Sequence, residues 1–583
     1  MPRFSNQEVA RLFANIGDLL EIKGENRFKI LAYRKAADNI AALGQDLFNL
    51  WEAGQDLQAL EGIGQAIAEK SDELFRTGRL GFWEKLSAEV PASLVDVLAI
   101  PDVGPKLARL MWQELGLTTV AEVKAAAQAG RLQTLPRMGA KSEARILASI
   151  EALERRDTSR VHLGIAWPLA QQLLAALRPL PEVLTIEAVG SLRRMKDTIG
   201  DLDLLVATEA AGPVMAAFQS LPDVIEVIGA GETKSSVRFG NGLQVDLRCV
   251  EPARWGTALQ YFTGSQAHNV KVRELAQKQG YSLNEYALTR ERDGRQFHFA
   301  DEASLYEFLG LDYIPPRLRE DRGEIKAAQT HTLPALVQVD EIKGEVHCHS
   351  TWSDGAHSIE AMARAALERG YQYLAITDHS QSLGVTGGLT PEQLRQQRQE
   401  IDQVQQQVPG IRLLQGTEME IKADGSLDYP DEVLAELDFV VASVHTGLRQ
   451  DRETLTRRAL QAIHNPYVRL IGHPSGRLLP RREPGDFDME ALLQAAAQTG
   501  TMLEINASPE RLDLNDAYAR RAIELGARLM INCDAHHIAD FEKLHFGVAT
   551  AQRGWVPPAG VVNTLPWPEF ETIIKEGKRG IAG

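Results

Sequence analysis

The hydrophobic pattern of the chain divides it into four regions. Residues 1–150 space their apolar side chains about 3.6 residues apart, with glycine-centred turns between segments, which predicts a helical region. Residues 160–310 mix helical segments with short apolar runs, and those runs predict strands at Leu184–Val189, Leu202–Val206 and Leu243–Val250. Residues 312–342 contain Pro315-Pro316 and a charged stretch, a composition typical of a linker.

The fourth region repeats an alternation of strand and helix. Apolar runs of strand length recur between residues 343 and 570, each followed by a helical pattern: Tyr373–Thr377, Arg412–Gly416, Phe439–Val444, Arg469–Gly472, Met502–Ile505 and Arg528–Asn532. This alternation predicts a βα barrel, whose chemistry lies at the carboxyl ends of its strands.

Length and composition limit the class of protein. A chain of 583 residues is too long for one hydrophobic core, so several domains are expected. The sequence has no apolar run near the ~20 residues that span a bilayer, and its first residues lack the apolar core of a secretory signal. Three cysteines, Cys249, Cys348 and Cys533, form no disulfide framework and suit a reducing compartment. These features predict a cytoplasmic protein without a membrane segment.

The charge is distributed unevenly. The net charge is −16, but residues 1–300 hold 35 Lys and Arg against 37 Asp and Glu, and the remainder holds 28 against 42. Contact between the first half and a nucleic acid would therefore use local basic clusters and backbone amides. Metal ions could offset part of the acidity of the second half.

Three glycine-centred hairpins occur within the helical region, at residues 60–68, 100–108 and 135–142. A glycine turn before a helix leaves backbone amides free to hold a DNA phosphate without reading the base sequence. An ordinary αα-hairpin is the alternative for each single copy, and the repetition favours DNA binding. The candidate DNA-binding residues are Gly62, Gly64, Gly104 and Lys106.

Three aspartates form a candidate catalytic set. Asp201 and Asp203 are two positions apart on a predicted strand and therefore point to one face. Asp246 lies on another predicted strand that can meet them. Three converging carboxylates can hold two Mg²⁺ ions, which activate an attacking 3′-hydroxyl and stabilise a leaving pyrophosphate. An Asp-x-Asp pair alone is common on protein surfaces, so the surrounding residues carry the inference.

The residues before these aspartates suit a nucleoside triphosphate. Gly190 and Ser191 open a turn after a predicted strand, and Arg194 follows them. The turn amides, the hydroxyl and the guanidinium could hold the β- and γ-phosphates. Gly200, directly before Asp201, is included in the nucleotide-binding set.

A second cluster of chemistry lies in the barrel region. Six histidines and three carboxylates fall at or just after the predicted strand ends, and mixed ligands of this kind suit Zn²⁺, Mn²⁺ or Fe²⁺ better than Ca²⁺. A lone histidine is more often structural, but nine such residues at strand ends are hard to explain by packing. The candidate ligands are His347, His349, Asp354, His379, Glu418, His445, His473, Asp534 and His536.

Residues 1–310 resemble the family X DNA polymerases of the polymerase beta type. The resemblance is strongest in Gly190–Asp203 and in Tyr261-Phe262-Thr263-Gly264-Ser265 with the residues that follow. It implies Mg²⁺ or Mn²⁺ as cofactor, dNTPs as substrates and gapped or nicked DNA as partner. It also assigns nucleotide binding to Tyr261, Phe262, Gly264, Asn269 and Arg273.

The N-terminal segment resembles the gap-binding lyase domain of the same family. Lys70 matches the Schiff-base lysine, which must be neutral to act as a nucleophile and could equally be a solvated helix lysine. Lys29, Tyr33 and Lys35 are expected to bind a 5′-phosphate. Two positions depart from animal relatives, Gln266 and Gln244, so that handling of the base or the metal could differ.

The barrel region resembles the PHP (polymerase and histidinol phosphatase) family. The nine candidate ligands match the nine ligand positions of that family, which implies a site for up to three Mn²⁺ or Zn²⁺ ions that is competent for phosphoester hydrolysis. Asp378, Glu420 and His537 are expected to support the ligands. PHP regions that lost ligands serve as scaffolds in some polymerases, and no ligand is lost here.

The resemblances predict a multidomain α/β protein. They imply an N-terminal helical domain with helix-hairpin-helix motifs, a polymerase beta-like palm of the α+β class and a distorted βα barrel of the PHP type. The expected domains are 1–85 (lyase-like), 86–158 (fingers-like), 159–255 (palm), 256–312 (nucleotide selection), 313–342 (linker) and 343–570 (PHP).

The predicted function is repair of short DNA gaps, as in base excision repair. The PHP site would act as a 3′–5′ exonuclease, with removal of 3′-phosphates or cleavage at abasic sites as further activities. Two alternatives remain open: a PHP half that only stabilises the polymerase, and nucleotide transfer to an acceptor other than DNA. A nucleoid-associated monomer is expected.

Overall fold

The protein divides into two compact units, Met1–Ser159 and Arg160–Gly583. The computed structural model describes residues 4, 6–41, 43, 47–60, 62–98, 100, 103–136, 138–155 and 160–576. Glu61, Pro101, Asp102 and Arg137 of the predicted hairpins lie outside the described residues. Among the described residues, no helix combines the length and the apolar character needed to cross a membrane.

The first unit is helical, as the spacing predicts. Its apolar residues form one core in which Phe13, Phe75 and Ile100 are buried. The helices are α1 (Asn6–Lys23), α2 (Arg27–Ala41), α3 (Leu47–Glu52), α4 (Gln65–Thr77), α5 (Gly81–Glu89), α6 (Leu94–Leu98), α7 (Pro105–Leu115), α8 (Val120–Gln128) and α9 (Ala140–Arg155).

The glycines of the first two hairpins lie where the sequence predicts a turn. Gly64 caps the N-terminus of α4 and Gly104 caps that of α7, in both cases with extended backbone. Gly62 has a φ of +77°, which favours glycine. The turn amides therefore precede two helix N-termini, as phosphate binding requires.

The second unit begins with a five-stranded mixed sheet. Its strand order is β2-β4-β7-β6-β5, with β4 and β7 parallel and the other pairs antiparallel. The elements are β1 (Val161–His162), α10 (Leu163–Leu177), β2 (Thr185–Val189), α11 (Gly190–Arg193), β3 (Thr198–Ile199), β4 (Asp201–Ala207), α12 (Ala211–Gln219), β5 (Val224–Ala230), β6 (Lys234–Phe239) and β7 (Gln244–Val250).

A smaller subdomain follows this palm-like sheet. It packs two helices and a short helix against a three-stranded antiparallel sheet. The elements are α13 (Trp255–Thr263), α14 (Gln266–Lys278), β8 (Tyr281–Leu283), β9 (Leu288–Arg290), β10 (Gln296–Phe297) and α15 (Glu302–Phe308).

The stretch expected to be a linker, residues 313–342, is ordered and packed. It contains α16 (Glu324–Gln329), and it buries Ile314, Leu318 and Ala328 in the core of the preceding subdomain. Arg319 is fully buried, where it pairs with Glu302. Because this stretch is rich in proline and charged residues, its sequence pattern does not reveal that these side chains are buried.

The remaining chain forms a seven-stranded parallel barrel in sequence order. The barrel is closed by a parallel bridge between Cys348, the last residue of its first strand, and Ala535, which follows its last strand. The elements are β11 (Gly344–Cys348), α17 (Ile359–Glu368), β12 (Tyr373–Ile376), α18 (Pro391–Gln407), β13 (Arg412–Glu420), α19 (Asp431–Leu434), β14 (Phe439–Ser443), α20 (Arg452–His464), β15 (Val468–Ile471), α21 (Met489–Thr499), β16 (Met502–Asn506), α22 (Asp516–Glu524), β17 (Leu529–Asn532), α23 (Leu544–Arg553) and α24 (Trp567–Glu576).

The two ends of the barrel differ in chemistry. The amino-terminal end is apolar and is covered by α24, whose Phe570 stacks on Tyr373 with ring centroids 4.2 Å apart. Polar residues are gathered at the carboxyl end, as expected for a βα barrel. The predicted fold class is confirmed, including the helical hairpins and the barrel.

The palm and the barrel share part of one core. Leu512, Phe546 and Ala549 of the barrel region are buried in the apolar cluster of the palm, and Trp167 of α10 contacts Phe546 edge-on. These contacts hold the carboxyl end of the barrel beside the start of α10.

Candidate active sites

The nine residues predicted as metal ligands come together at the carboxyl end of the barrel. Their ligand atoms form three overlapping groups, each within 4.8 Å, which include eight of the nine residues. The ninth, His473, places Nε2 2.9 Å from Oε1 of Glu418. The groups are His349, Asp354, His379 and His536; His347, His349, Glu418 and Asp534; and His379, Glu418 and His445.

Glu418 and Asp534 stand at the centre of the cluster. Glu418 is fully buried, and imidazole nitrogens of His347, His379 and His445 lie 3.1–3.4 Å from its oxygens. Asp534 Oδ1 lies 3.2 Å from Nε2 of His349. A buried carboxylate shared by several histidines can bridge metal ions.

The donor set fits metal ions on a second ground. Four imidazole nitrogens of the cluster are buried and make no hydrogen bond of proper geometry with the described residues: His347 Nε2, His349 Nδ1, His379 Nδ1 and His473 Nδ1. Buried polar atoms are normally satisfied, so orphaned nitrogens beside carboxylates indicate bound cations.

The protonation of the cluster is strongly perturbed. Burial disfavours the charge of Glu418, but the surrounding histidines hold its pKa well below the usual range. His445 is partly buried, which disfavours its charge, yet Glu418 and Glu420 raise its pKa to about 9. Burial and the neighbouring His536 and His379 lower the pKa of His349 to about 3. Some of these rings therefore carry a proton in the metal-free site. Metal binding would release those protons.

Buried acids behind the ligands orient them. Glu504 on β16 accepts a hydrogen bond from His347 Nδ1 at 2.7 Å and one from the backbone N–H of His473 at 2.7 Å. Glu420 accepts from Nδ1 of His445 at 2.8 Å, in the supporting role expected for it. Glu504 was not predicted from the sequence. The signal that could have revealed it is a glutamate inside the apolar strand Met502–Asn506.

The other two expected supporting residues stabilise loops. Asp378 accepts hydrogen bonds from Ser350, Ser353 and Gln397. His537 caps the following 3₁₀ turn through its Nδ1. Both residues therefore shape the loops that carry ligands.

Two ligands adopt left-handed backbone conformations. The φ angles are +29° at His473 and +53° at Asp534. This region is unfavourable for residues other than glycine, and such strain clusters at functional sites. The surrounding hydrogen bonds hold both side chains towards the cluster.

The three aspartates of the palm converge as predicted. Asp203 on β4 pairs directly with Asp246 on the parallel strand β7, and Asp201 is two residues before Asp203. Burial and the charges of Asp201 and Asp246 raise the pKa of Asp203 to about 7. Burial alone would raise the pKa of Asp246, but hydrogen bonds from Lys234 and Gln244 lower it below its usual value. Gln244 thus orients one of the three candidate carboxylates.

The predicted phosphate turn lies against these carboxylates. Gly190 follows β2 with a φ of +63°, and an added Cβ would overlap the carboxylate of Asp203. Ser191 lies in the single turn of α11, and Gly200 joins β3 to β4. The turn therefore requires glycine both for its conformation and for its close approach to Asp203.

Arg194 is held by a network that reaches the barrel. It donates to the carbonyl of Thr263 at 2.6 Å and to Glu320 Oε1 at 3.0 Å. Arg553 of α23 also donates to Glu320, at 2.9 Å, and to Asp516 at 2.7 Å. Arg553 and Glu320 are buried or nearly so. The sequence does not predict this network, because its members lie up to 359 residues apart.

The remaining nucleotide-binding candidates gather on α13 and α14. Tyr261 and Phe262 are half-buried, with ring centroids 5.2 Å apart, and Gly264 ends α13 close to Arg194. Asn269 is largely buried and donates to the carbonyl of Tyr261 at 2.7 Å. Arg273 lies one turn further along α14 and donates to the Asn269 carbonyl.

The first unit presents a shallow cleft at its first hairpin. The cleft, of about 470 Å³, is lined by Lys35, Gly62, Gly64 and Phe28, whose ring is 83% exposed. Gly104 and Lys106 are exposed at the second hairpin. An exposed aromatic ring beside free amides and a lysine suits DNA.

The candidate lyase residues lie near this cleft. The Lys70 ammonium lies 4.8 Å from the centroid of the Phe82 ring, and Lys29 lies 5.5 Å from it. Tyr33 is only 4% exposed and stacks on Phe82 at 5.8 Å. Tyr33 therefore contributes mainly to packing in this conformation.

Family models match most of the chain. A helix-hairpin-helix domain matches residues 4–80, and a SAM-like helix-hairpin-helix tandem matches residues 94–152. A DNA polymerase beta thumb matches residues 258–320, and a PHP domain matches residues 345–508. The order of these matches follows the order of the structural units.

Two kinds of relative resemble the chain. The DNA polymerase/3′-5′ exonuclease PolX of Bacillus subtilis (strain 168) is 38% identical over 571 residues, covering 98% of this chain and 99% of the relative. Probable phosphatases of Thermoanaerobacter sp. (strain X514) and Caldanaerobacter subterraneus are 29% and 30% identical over 250 residues, which is 41% of this chain and 97% and 93% of those proteins. The chain therefore belongs to the PolX family, the family X DNA polymerases that carry a C-terminal PHP domain.

Proposed function

We propose that this protein fills short gaps in DNA at the palm and removes nucleotides from 3′ ends at the barrel. The observation that carries the proposal is the presence of both residue sets in one chain that aligns end to end with a polymerase and 3′–5′ exonuclease. The helix-hairpin-helix domains support DNA as the partner of both sites.

At the palm, Asp201, Asp203 and Asp246 would hold Mg²⁺ or Mn²⁺, which lowers the pKa of the primer 3′-hydroxyl and neutralises the triphosphate. Ser191 and the turn at Gly190 would bind the phosphates of a dNTP. Arg194 would reach the same phosphates from its place beside Glu320. These assignments follow from the convergence of the carboxylates on the phosphate turn.

Tyr261 and Phe262 are proposed to line the sugar of the incoming nucleotide. Asn269 would bind its base edge through rearrangement of its present hydrogen bond to Tyr261. Arg273 would contact the template, and Gly264 would keep this end of α13 close to Arg194.

Template dependence tests the polymerase assignment. A primer on one-nucleotide-gapped DNA would be offered each dNTP singly, with each of the four bases opposite the gap. We expect the complementary dNTP to be added at least ~100-fold faster than the others, since site geometry sets such ratios. Equal use of all four, or efficient transfer to a small hydroxyl acceptor, would favour the alternative of a non-DNA acceptor.

At the barrel, the nine ligands would hold up to three ions, with Mn²⁺ or Zn²⁺ as the proposed metals. The ions would supply an activated water and neutralise the phosphate oxygens. The chain itself orients the ligands through Glu504 and Glu420. A 3′-labelled strand should release mononucleotides, and His347→Ala/His349→Ala should abolish the release while gap filling continues.

Removal of 3′-phosphates is a second candidate activity of the barrel, supported by the probable phosphatases that are similar to 41% of this chain. Cleavage at abasic sites is a third. Primers that end in a 3′-phosphate and duplexes with one abasic site would separate them. A barrel that acts only as a metal-stabilised scaffold would release neither phosphate nor nucleotide.

The first unit is proposed to hold the 5′ side of a gap. Lys29 and Lys35, with the turns at Gly62, Gly64 and Gly104, would bind the 5′-phosphate and backbone, and Lys106 would add charge. Lyase activity of Lys70 is tested by borohydride trapping on DNA with a 5′-deoxyribose phosphate, which Lys70→Ala should prevent. We expect a monomer that works in the cytoplasm at the nucleoid.

A further inference from the structure

A cleft of about 480 Å³ opens directly onto the metal cluster. Its floor includes Asp534 and His536, and His536 is 36% exposed, the most accessible imidazole of the cluster. Clefts of roughly 300–1,000 Å³ bind ligands of the size of one nucleotide. The cleft is therefore large enough for the terminal unit of a DNA strand beside the metals.

Two cationic groups line the cleft near the ligands. Arg511 lies with Nε 3.5 Å from Oδ2 of Asp534, and Lys543 is partly exposed beside Asp540. Positive groups at this position suit the phosphates that flank a scissile bond. The cleft thus combines room for a nucleoside with charge for its phosphate.

One wall of the cleft comes from the palm. His162 and Gly164, at the start of α10, line it opposite the barrel loop at residues 508–511. Gly164 packs so closely on Pro509 that an added Cβ would lie 3.0 Å from two of its carbon atoms. The palm and the barrel therefore meet at the edge of the nuclease site.

His162 is partly exposed and lines this wall. Its Nδ1 has no hydrogen-bond partner among the described residues and is shielded from solvent in this conformation. Burial lowers the pKa of His162, so the ring is neutral near pH 7 and suited to a nucleoside rather than a phosphate. A buried polar atom without a partner is unfavourable, so a ligand that turns the ring towards the cleft gains a hydrogen bond.

We propose that this cleft binds the 3′-terminal nucleotide of the strand that the barrel hydrolyses, with the His162 wall of the palm contacting its nucleoside. The proposal rests on the exonuclease function proposed above and adds that the palm completes the nuclease site.

The test compares two substrates of the full-length protein with Mn²⁺. Bis(p-nitrophenyl) phosphate needs only the metals, whereas 3′-labelled DNA also needs the cleft. We expect His162→Ala to raise KM for shortening of the DNA about tenfold, the value of one lost polar contact. Its hydrolysis of bis(p-nitrophenyl) phosphate and its gap filling should stay within twofold of wild type. His298→Ala, at an exposed histidine outside the cleft, is the matched control.

A binding measurement separates failure of this proposal from failure of the exonuclease function. dAMP should inhibit hydrolysis of bis(p-nitrophenyl) phosphate competitively in wild type, and about tenfold more weakly in His162→Ala. That result supports the cleft even if the wild type shortens no DNA. Equal inhibition by dAMP in both proteins, or an unchanged KM for DNA, would overturn the proposal.

Discussion

At the scale of single residues, the palm site depends on how closely its groups approach one another. Gly190 lies against Asp203, and Asp203 is itself crowded by two further carboxylates. The sequence predicts that these residues lie together because they are adjacent in the chain or on strands. It does not predict Glu504, since a buried glutamate leaves no spacing pattern.

Replacement of Gly190 should separate the two activities. In Gly190→Ala the new methyl would push against Asp203, and a displacement near 1 Å can reduce catalysis ~100-fold. Gap filling should fall by that factor while shortening of a 3′ end is unchanged. Gly242→Ala is the matched control, because Gly242 also has a positive φ (+83°) but open space around it. Similar losses in both variants would show that backbone strain, and not the clash, is responsible.

Metal binding at the palm should release protons. The pKa of Asp203 is about 7 without metal, so much of it is protonated at neutral pH and must ionise to bind Mg²⁺. The apparent affinity for Mg²⁺ should rise from pH 6 to pH 8. Titration calorimetry in two buffers of different ionisation enthalpy would measure the released protons in His347→Ala/His349→Ala. No proton release across that range would contradict the account.

The raised pKa of Asp203 also makes folding stability depend on pH. Metal affinity rises with pH, whereas this residue's contribution to stability falls. The folded pKa of Asp203 is raised above its unfolded value near 3.8, so the folded state binds more protons between that pH and about 7. In metal-free protein this residue therefore makes stability decrease as pH rises through that window. Asp203→Asn should remove this contribution, as thermal unfolding in EDTA would show.

At the scale of elements, the barrel strands bring distant residues to one end. Each candidate ligand lies near the carboxyl end of a strand or in the segment that follows it, as the alternating pattern predicted, and the parallel order of the strands brings these ends together. The strand β16 carries no ligand, and instead it places Glu504 behind two of them. The pattern predicts the position of a strand end but not the hydrogen bonds behind it.

The supporting role of Glu504 is testable through metal content. Glu504→Gln keeps the volume but removes the charge that faces His347, and loss of such a partner weakens metal affinity ~10–100-fold. Mn²⁺ retained after dialysis should fall accordingly. Glu490→Gln is the control, since Glu490 pairs with Arg521 on the helices outside the barrel. Equal metal content in the Glu504 and Glu490 variants would contradict this role.

At the scale of the molecule, Arg553 connects the barrel to the palm site. It is fully buried between Glu320 and Asp516, and Glu320 also holds Arg194. The predicted linker is part of this connection because it supplies Glu320. Sequence periodicity cannot predict such long-range pairing, which exists only after both domains have folded.

Removal of Arg553 should weaken both domains. Arg553→Met would leave Glu320 and Asp516 with one arginine each, Arg194 and Arg322, and removing one partner from such a buried network costs up to about 3–5 kcal/mol. The urea midpoint of the protein should drop markedly, and KM for dNTPs should rise because the Arg194 carbonyl loses the hydrogen bond from Arg553. Arg364→Met, at an exposed ion pair with Glu360, should cost less than about 1 kcal/mol. Equal effects of the two variants would argue against the connection.

We infer that one chain holds two independent active sites with opposite effects on a primer. A labelled primer on one-nucleotide-gapped DNA, with dNTPs and either Mg²⁺ or Mn²⁺, tests it most directly. Wild type would be compared with Asp201→Ala/Asp203→Ala and with His347→Ala/His349→Ala. We expect the first variant only to shorten the primer and the second only to extend it. Loss of both activities in either variant, or a wild type that never shortens the primer, would contradict it.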